Sequence, residues 1–152
     1  MGFGTLSLKG RALRLLSQRE HSRAELQRKL RPHVQEGEDL DAVLTELEDK
    51  DFISEKRVVA SVVHQRSGRM GAARIRQELQ AKGVDGEMVQ QALAQLQDTE
   101  LARAREVWRR RFGEPAADPQ ARAKQVRFLM ARGFSGDVVH RVIRGGPAED
   151  EA

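Results

Sequence analysis

Cysteine is absent, which excludes a disulfide framework, a thiol nucleophile and any thiolate metal site. Tyrosine is absent too, and the aromatics are five Phe and one Trp, so the 39% apolar content has to build its core from many small aliphatic contacts. Strand-forming runs are sparse. No apolar stretch approaches the length of a membrane span, and the opening MGFGTLSLKGR lacks a charged segment followed by a sustained apolar one. A soluble, cytoplasmic chain is the expectation. Catalytic signatures are missing as well: there is no GxxxxGKS or GxxxxGKT phosphate loop, no GxGxxG after a strand, no HExxH and no GxSxG elbow. His21, His33, His64 and His140 stand at spacings that make no ligand pair on one helix face. The acidic pairs Glu38-Asp39 and Glu48-Asp49 lie in charged runs that read as solvated helix ends. The sequence therefore points away from an enzyme and implies no cofactor.

What is present is helical periodicity almost from end to end, broken by Gly and Pro too often for long helices. Nine helices are predicted, near 7–18, 22–31 and 39–50, then 54–66, 72–82 and 86–97, then 99–112, 119–132 and 136–144. Ser22 with Glu25 forms a capping box at the start of the second helix, Pro32 marks its end, and Pro119 suits a first helical turn.

The chain also repeats itself. Residues 74–84 read RIRQELQAKGV and residues 124–134 read KQVRFLMARGF, while 22–30, SRAELQRKL, is a weaker copy. Laid over one another, the thirds equate Leu26, Leu79 and Leu129 at offsets of 53 and 50 residues, Val89 with Val139, Leu93 with Ile143, Leu47 with Leu96 and Phe52 with Leu101. A helix triplet of this size cannot bury all its apolar faces alone, so tandem units would share a continuous core. The expected architecture is all-α, an elongated array of three tandem three-helix repeats. It divides at 1–51 (with a short N-terminal extension), 52–98 and 99–144, before a flexible acidic tail over 145–152.

Charge is unevenly placed. Residues 1–50 carry nine basic and nine acidic groups and 51–100 carry seven of each, but 101–144 carry eleven basic against four acidic, a local charge of +7. Such a block attracts phosphates or an acidic protein groove, although a merely solvated face would look the same. Arg outnumbers Lys by 21 to 6, which suits forked contacts to phosphate and carboxylate. At about 100° per residue, Leu101, Ala104, Trp108 and Phe112 share one face, which makes Trp108 a core residue. Arg103 and Arg110 then point away from that face, and Arg105, Arg109 and Arg111 flank it. With Arg122, Lys124, Arg127 and Arg132 on the next helix they define a candidate basic surface, which Arg66, Arg69, Arg74, Arg76 and Lys82 of the middle third could extend. Basic groups with few exposed aromatics favour backbone phosphate or acidic protein over base stacking.

ARGFSGDVVHRVIRG, residues 131–145, is also how a helix-turn-helix DNA reader is written. The same turn grammar recurs in KGVDGEMVQQAL, residues 82–93, whose second helix has no basic residue, so repeat architecture explains it more economically.

Taken together, RMGAARIRQELQAKGV (69–84), ALRLLSQREHSRAELQRKL (12–30) and KQVRFLMARGFSGDVVHRVI (124–143) resemble the RecX regulators of the RecA recombinase over about residues 10–144. The join LEDKDFISEKRVVAS resembles that family's inter-unit segment but departs at Ser54 to Val58 from its more acidic and aromatic pattern. The resemblance implies an extended array of three-helix repeats. It also implies a monomer whose partner is the RecA filament on single-stranded DNA, docked along the filament groove to restrain growth, ATP turnover and strand exchange, with weak direct DNA contact. A general nucleic-acid-binding module and a helical adaptor for another acidic protein are the competing readings.

Overall fold

The computed structural model describes residues 6–145. Its helices are α1 (Leu8–Gln18), α2 (Arg23–Leu30), α3 (Leu40–Asp49), α4 (Glu55–Arg66), α5 (Ala72–Ala81), α6 (Gly86–Gln97), α7 (Glu100–Arg111), α8 (Pro119–Ala131) and α9 (Gly136–Gly145), with a 3-10 turn at Arg31–His33. No strand occurs among the described residues. The predicted acidic tail lies, from residue 146 on, outside them. Most helices begin where a short polar side chain can take up the orphan amides of the first turn. Ser7, Ser22, Asp39, Ser54, Asp85 and Asp118 all do so, and Ser22 and Glu25 complete the capping box. Helix α5 is different: its cap is Gly71, which has no side chain to offer.

The apolar faces collect into three separate cores, one per helix triplet, rather than the continuous core expected of the repeat. Leu26, Leu30, Leu44 and Leu47 centre the first, which also takes Ile53. Val58, Ile75, Leu79 and Val89 centre the second, and Ala104, Trp108, Leu129 and Val139 the third. Trp108 is 2% exposed, as its helical face predicted, and its indole N–H needs an acceptor. Gln125 supplies it at 3.0 Å, and the Gln125 amide in turn donates to the Glu114 carbonyl at 3.1 Å. A buried glutamine therefore stands where the 50-residue offset puts Ile75 in the second unit.

The repeat register holds between the second and third units: Leu79 and Leu129 are both fully buried, and Val89 and Val139 nearly so. The first unit differs. Counted from the helix caps Ser22 and Gly71, Leu26 corresponds to Ile75 and Leu30 to Leu79, so the offset is 49, one helical turn away from the expected 53. The equation of Phe52 with Leu101 also fails in packing terms. Phe52 is 46% exposed while Leu101 packs on the third core, because Ile53 fills the first core in its place.

The second helices of the three units stack head to tail. At the α8 C-terminus, the amide of Gly71 donates to the Arg132 carbonyl at 2.8 Å and that of Ala73 to Gly133 at 3.2 Å. The guanidinium of Arg74 reaches the Ala131 carbonyl at 2.8 Å. The orphan donors of one helix thus satisfy the orphan acceptors of another, which is why α5 does without a side-chain cap. At the α5 C-terminus, Ser22 Oγ donates to the Lys82 carbonyl at 2.5 Å and Arg28 to Ala81 at 3.0 Å. Order in space runs α8, α5, α2, the reverse of the chain.

Close approach of backbones at the α8–α5 joint leaves no room for a side chain at Gly71. A Cβ there would lie 2.6 Å from the Phe134 amide nitrogen and collide with the Gly133 carbonyl. Gly71→Ala is therefore expected to destabilise the protein by about 1–3 kcal/mol. Gly68→Ala, with no atom within 4 Å of the added carbon, should stay within about 0.5 kcal/mol. Urea denaturation of the two variants checks this, and equal losses would mean that the joint is not as drawn.

Candidate functional site

Helix α7 closes in Arg109, Arg110 and Arg111, where the partial negative charge of the helix C-terminus favours cations. Arg109 and Arg110 are about 60% exposed and share Glu106 at 2.6 and 3.2 Å. Hydrogen bonds from Arg109, and then from Arg110, lower the Glu106 pKa to about 2. Pairs this exposed hold little energy and remain open to competing anions. On α8 the side chains of Arg122, Lys124 and Arg127 are exposed, with no hydrogen bond or ion pair among the described residues. Arg69 and Arg76 are likewise exposed, on the second unit. With Arg111, also exposed at the end of α7, they make eight residues, the accessible part of the basic surface read from the sequence.

The remaining nominated cations have structural work inside the molecule. Arg66 pairs with Glu78 at 2.9 Å. Lys82 pairs with Glu25 at 3.1 Å across the first joint. Arg74 is spent on the Ala131 carbonyl, and Arg132 donates to the Arg69 carbonyl at 3.4 Å while lying 4.8 Å from the centre of the Phe128 ring. Arg105 is half-buried and already engaged.

Arg103 requires a correction. Helical geometry placed it facing away from the core of its unit, and it does, but that direction is occupied by the second unit, so its side chain is only 13% exposed. It donates to the carbonyls of Ser67 at 2.9 Å, Met70 at 2.7 Å and Leu96 at 3.2 Å, and contacts Glu100 at 3.4 Å. One guanidinium thereby caps the C-terminal ends of both α4 and α6. Burial lowers the Arg103 pKa, and Glu100 acts against that shift. Glu100 itself accepts the Ala72 amide at 2.8 Å, placing a carboxylate at the α5 N-terminus.

The first joint is ionic. The Glu25 side chain, 8% exposed, receives Arg19 at 2.9 Å, the Ser22 amide at 3.0 Å and Lys82 at 3.1 Å, and Glu20 holds Arg57 at 2.9 Å across the same boundary. Burial alone would raise the Glu25 pKa, but hydrogen bonds from Arg19, Ser22 and Lys82 more than offset it and bring it down to about 2. His21 is buried beside this cluster, one ring nitrogen 3.1 Å from the Arg19 carbonyl and the other 3.3 Å from the Lys29 ammonium. Desolvation lowers its pKa, and the positive charges of Arg19 and Lys29 add to that.

Sequence reasoning did not find Glu25, Glu100 and Gly133 as joint residues. The signal for the first was the capping box, read only as a local cap; the glycine in the repeated Lys/Arg-Gly pair was read only as a turn. The α4 surface, where the sequence departed from the expected pattern, carries Val59, Ala60 and Val63. With Met88 and Ala92 of α6 they line an open groove of about 570 Å³, to which Lys56 and His64 also contribute. Among the described residues no cluster of His, Asp or Glu is placed to hold a metal ion, and no helix is long and apolar enough to cross a membrane.

Three triple-helix units, joined in series and carrying a basic face on the last, define a class of helical repeat protein. Family models match each unit in order: the RecX first three-helix domain over residues 9–47, the second over 54–93 and the third over 98–143. The chain is 59% identical to the regulatory protein RecX of Leptothrix cholodnii over 91% of its length and 88% of the relative's, and 52% identical to that of Ralstonia nicotianae over 94% and 90%. The crystal structure of RecX from Lactobacillus salivarius shares the fold with a TM-score of 0.68 at 24% identity, covering 90% of this chain and 92% of that one. This chain belongs to the RecX family of regulatory proteins.

Two outcomes follow from the joints. Arg103→Ala leaves Glu100 buried without its guanidinium partner and takes the side-chain donor from the Ser67 and Met70 carbonyls, so it should destabilise by about 3–5 kcal/mol, whereas Arg122→Ala should change stability by less than about 0.5 kcal/mol. Thermal and urea melts of both variants compare them directly.

The second concerns acid. Because the folded-state pKa of Glu25 is depressed, its contribution is fully present above the ordinary carboxylate value of 4.5 and is lost as pH falls toward about 2. Between those limits the wild type should lose more stability than Glu25→Gln, which has no charge there to titrate. Denaturation midpoints across that range would refute the assignment if the two curves ran parallel.

Proposed function

We propose that this protein regulates the RecA recombinase by lying along the filament that RecA forms on single-stranded DNA, restraining filament growth, ATP turnover and strand exchange. It acts without catalytic residues, as a cytoplasmic monomer. The observation that carries this reading is the 59% identity, across nine-tenths of the chain, to a relative named as the regulatory protein RecX. The architecture supports it physically. Three units held in line can touch several copies of a repeating partner, and modest contacts at each gain avidity when they are linked. Binding that spans neighbouring protomers opposes whatever geometry change accompanies growth or turnover.

The contact surface includes Arg109, Arg110, Arg122, Lys124 and Arg127, whose charges face solvent. Arg103 has no part in it, being held inside the second joint. The unpaired cations on α8 also favour a second reading, direct binding to nucleic acid without RecA.

The test is the DNA-dependent ATPase of RecA with and without the folded protein in molar excess, together with strand exchange. Wild type should slow both. Replacing Arg122, Lys124 and Arg127 by Ala should leave the melting temperature unchanged and weaken the inhibition, most visibly at raised salt, where screening removes what remains of the surface attraction. No effect of wild type on either activity overturns the assignment. A triple variant as inhibitory as wild type moves the contact surface elsewhere.

A further inference from the structure

Arginines gather where α7 and α8 both end. Arg111 is the last residue of α7, and Arg132 is the C-cap of α8. Four residues before Arg132 on the same helix stands Phe128, so the Arg132 side chain folds back over its ring, the guanidinium carbon 4.8 Å from the centroid. The Arg111 guanidinium lies 5.3 Å from the same centroid and 5.9 Å from that of Phe112. Phe112 and Phe128 meet edge to face at 5.5 Å, which fixes the ring between the two cations. Two full positive charges are thus held at most about 10 Å apart on one aromatic platform.

No carboxylate among the described residues pairs with either of them. The surroundings add more positive charge. Arg74 comes in from the second unit to the Ala131 carbonyl, and Arg132 in turn reaches back to the Arg69 carbonyl. The two helix C-termini offset part of the repulsion. What is left is an uncompensated, pre-oriented pair of guanidinium forks at the joint between two units, an arrangement that an anion stabilises.

We propose that Arg111 and Arg132, stacked on Phe128, form a receptor for the phosphodiester backbone of single-stranded DNA. Guanidinium forks bind phosphate in two-pronged fashion, and stacking on a ring removes much of the freedom that a lysine would lose on binding. A polyanion suits the site better than an isolated carboxylate, because the positive charge continues from the joint onto Arg109 and Arg110 of α7 and Arg127 of α8. Bases are not read here: Phe112 and Phe128 are half-buried, and both already carry a stacked arginine, so neither offers a platform for base stacking. Binding is therefore independent of base sequence. The proposal rests on the second reading above, direct binding to nucleic acid without RecA, and deepens it by naming the residues that hold the strand.

The experiment is fluorescence anisotropy of a labelled oligo-dT with the full chain and no RecA, repeated across salt concentrations, for wild type and two double variants whose folding is checked by circular dichroism. Each phosphate neutralised on a single strand contributes a slope of about 0.7 in log affinity against log salt. The variant Arg111→Gln with Arg132→Gln should bind more weakly and lose about 1.4 from the slope. Arg111→Lys with Arg132→Lys keeps both charges, so it should hold the wild-type slope while binding more weakly at every salt. An unchanged slope in the glutamine variant overturns the proposal. So does poly-glutamate that displaces the oligonucleotide as well as a phosphate polymer of equal charge, which would assign the site to an acidic protein surface. RecA ATPase assays run in parallel separate the two readings. A wild type that binds oligo-dT through these arginines yet leaves the ATPase untouched supports this receptor while removing the RecA assignment.

Discussion

Everything in this molecule rests on how one helix end is satisfied by another. An isolated helix leaves its first amides and last carbonyls without partners, and a buried end must find them. Here the α8 C-terminus and the α5 N-terminus find each other, and at the α5 C-terminus the Ser22 hydroxyl and the Arg28 guanidinium donate to the last carbonyls. The three cores are small and separate, with no large aromatic centre to join them. Orientation between units is therefore set by directional hydrogen bonds at the joints.

That arrangement explains residue choices that otherwise look arbitrary. Glycine at position 71 offers the first turn of α5 no side-chain acceptor, but at the joint any side chain would hold the two backbones apart. Gly133 opposite it has φ of 92°, a left-handed conformation that terminates α8 while turning its carbonyl toward Ala73. Arg103 and Glu100 then secure the same boundary from the side, one donating to the carbonyl ends of α4 and α6 and the other accepting from the head of α5. At the outer ends no further helix triplet follows among the described residues, and the helices end locally: Asp118 and Pro119 open α8, and Pro32 sits in the 3-10 turn after α2.

Helix positions, the all-helical class and the repeat of Leu79 at Leu129 were legible because they follow from local rules: apolar spacing, a capping side chain, a glycine after the last turn. Trp108 was legible for the same reason. What lay between units was not. Arg103 points away from its own core just as helical geometry requires, and nothing local reveals that another unit fills that direction. The first unit's register slipped because Glu25-Leu26 and Glu78-Leu79 look alike in sequence, although the former begins a helix and the latter lies near the end of one. Among the nominated basic residues the same distinction decides the outcome. Lys82 and Arg66 have carboxylate partners, one across a joint and one across its own unit, and among the described residues Arg122 and Lys124 have none, a difference that composition cannot express.

The two joints are also built from different materials. One is centred on backbone, the Gly71 and Ala73 amides donating to the Arg132 and Gly133 carbonyls with the ion pair of Arg103 and Glu100 at its side; the other adds to its backbone acceptors a larger set of ion pairs, Glu25 with Arg19 and Lys82 and Glu20 with Arg57. In mechanical terms the molecule is a jointed rod with one hinge whose stiffness responds less to ionic strength than that of the other. As salt rises, the hinge between the first and second units is therefore expected to soften ahead of the one between the second and third.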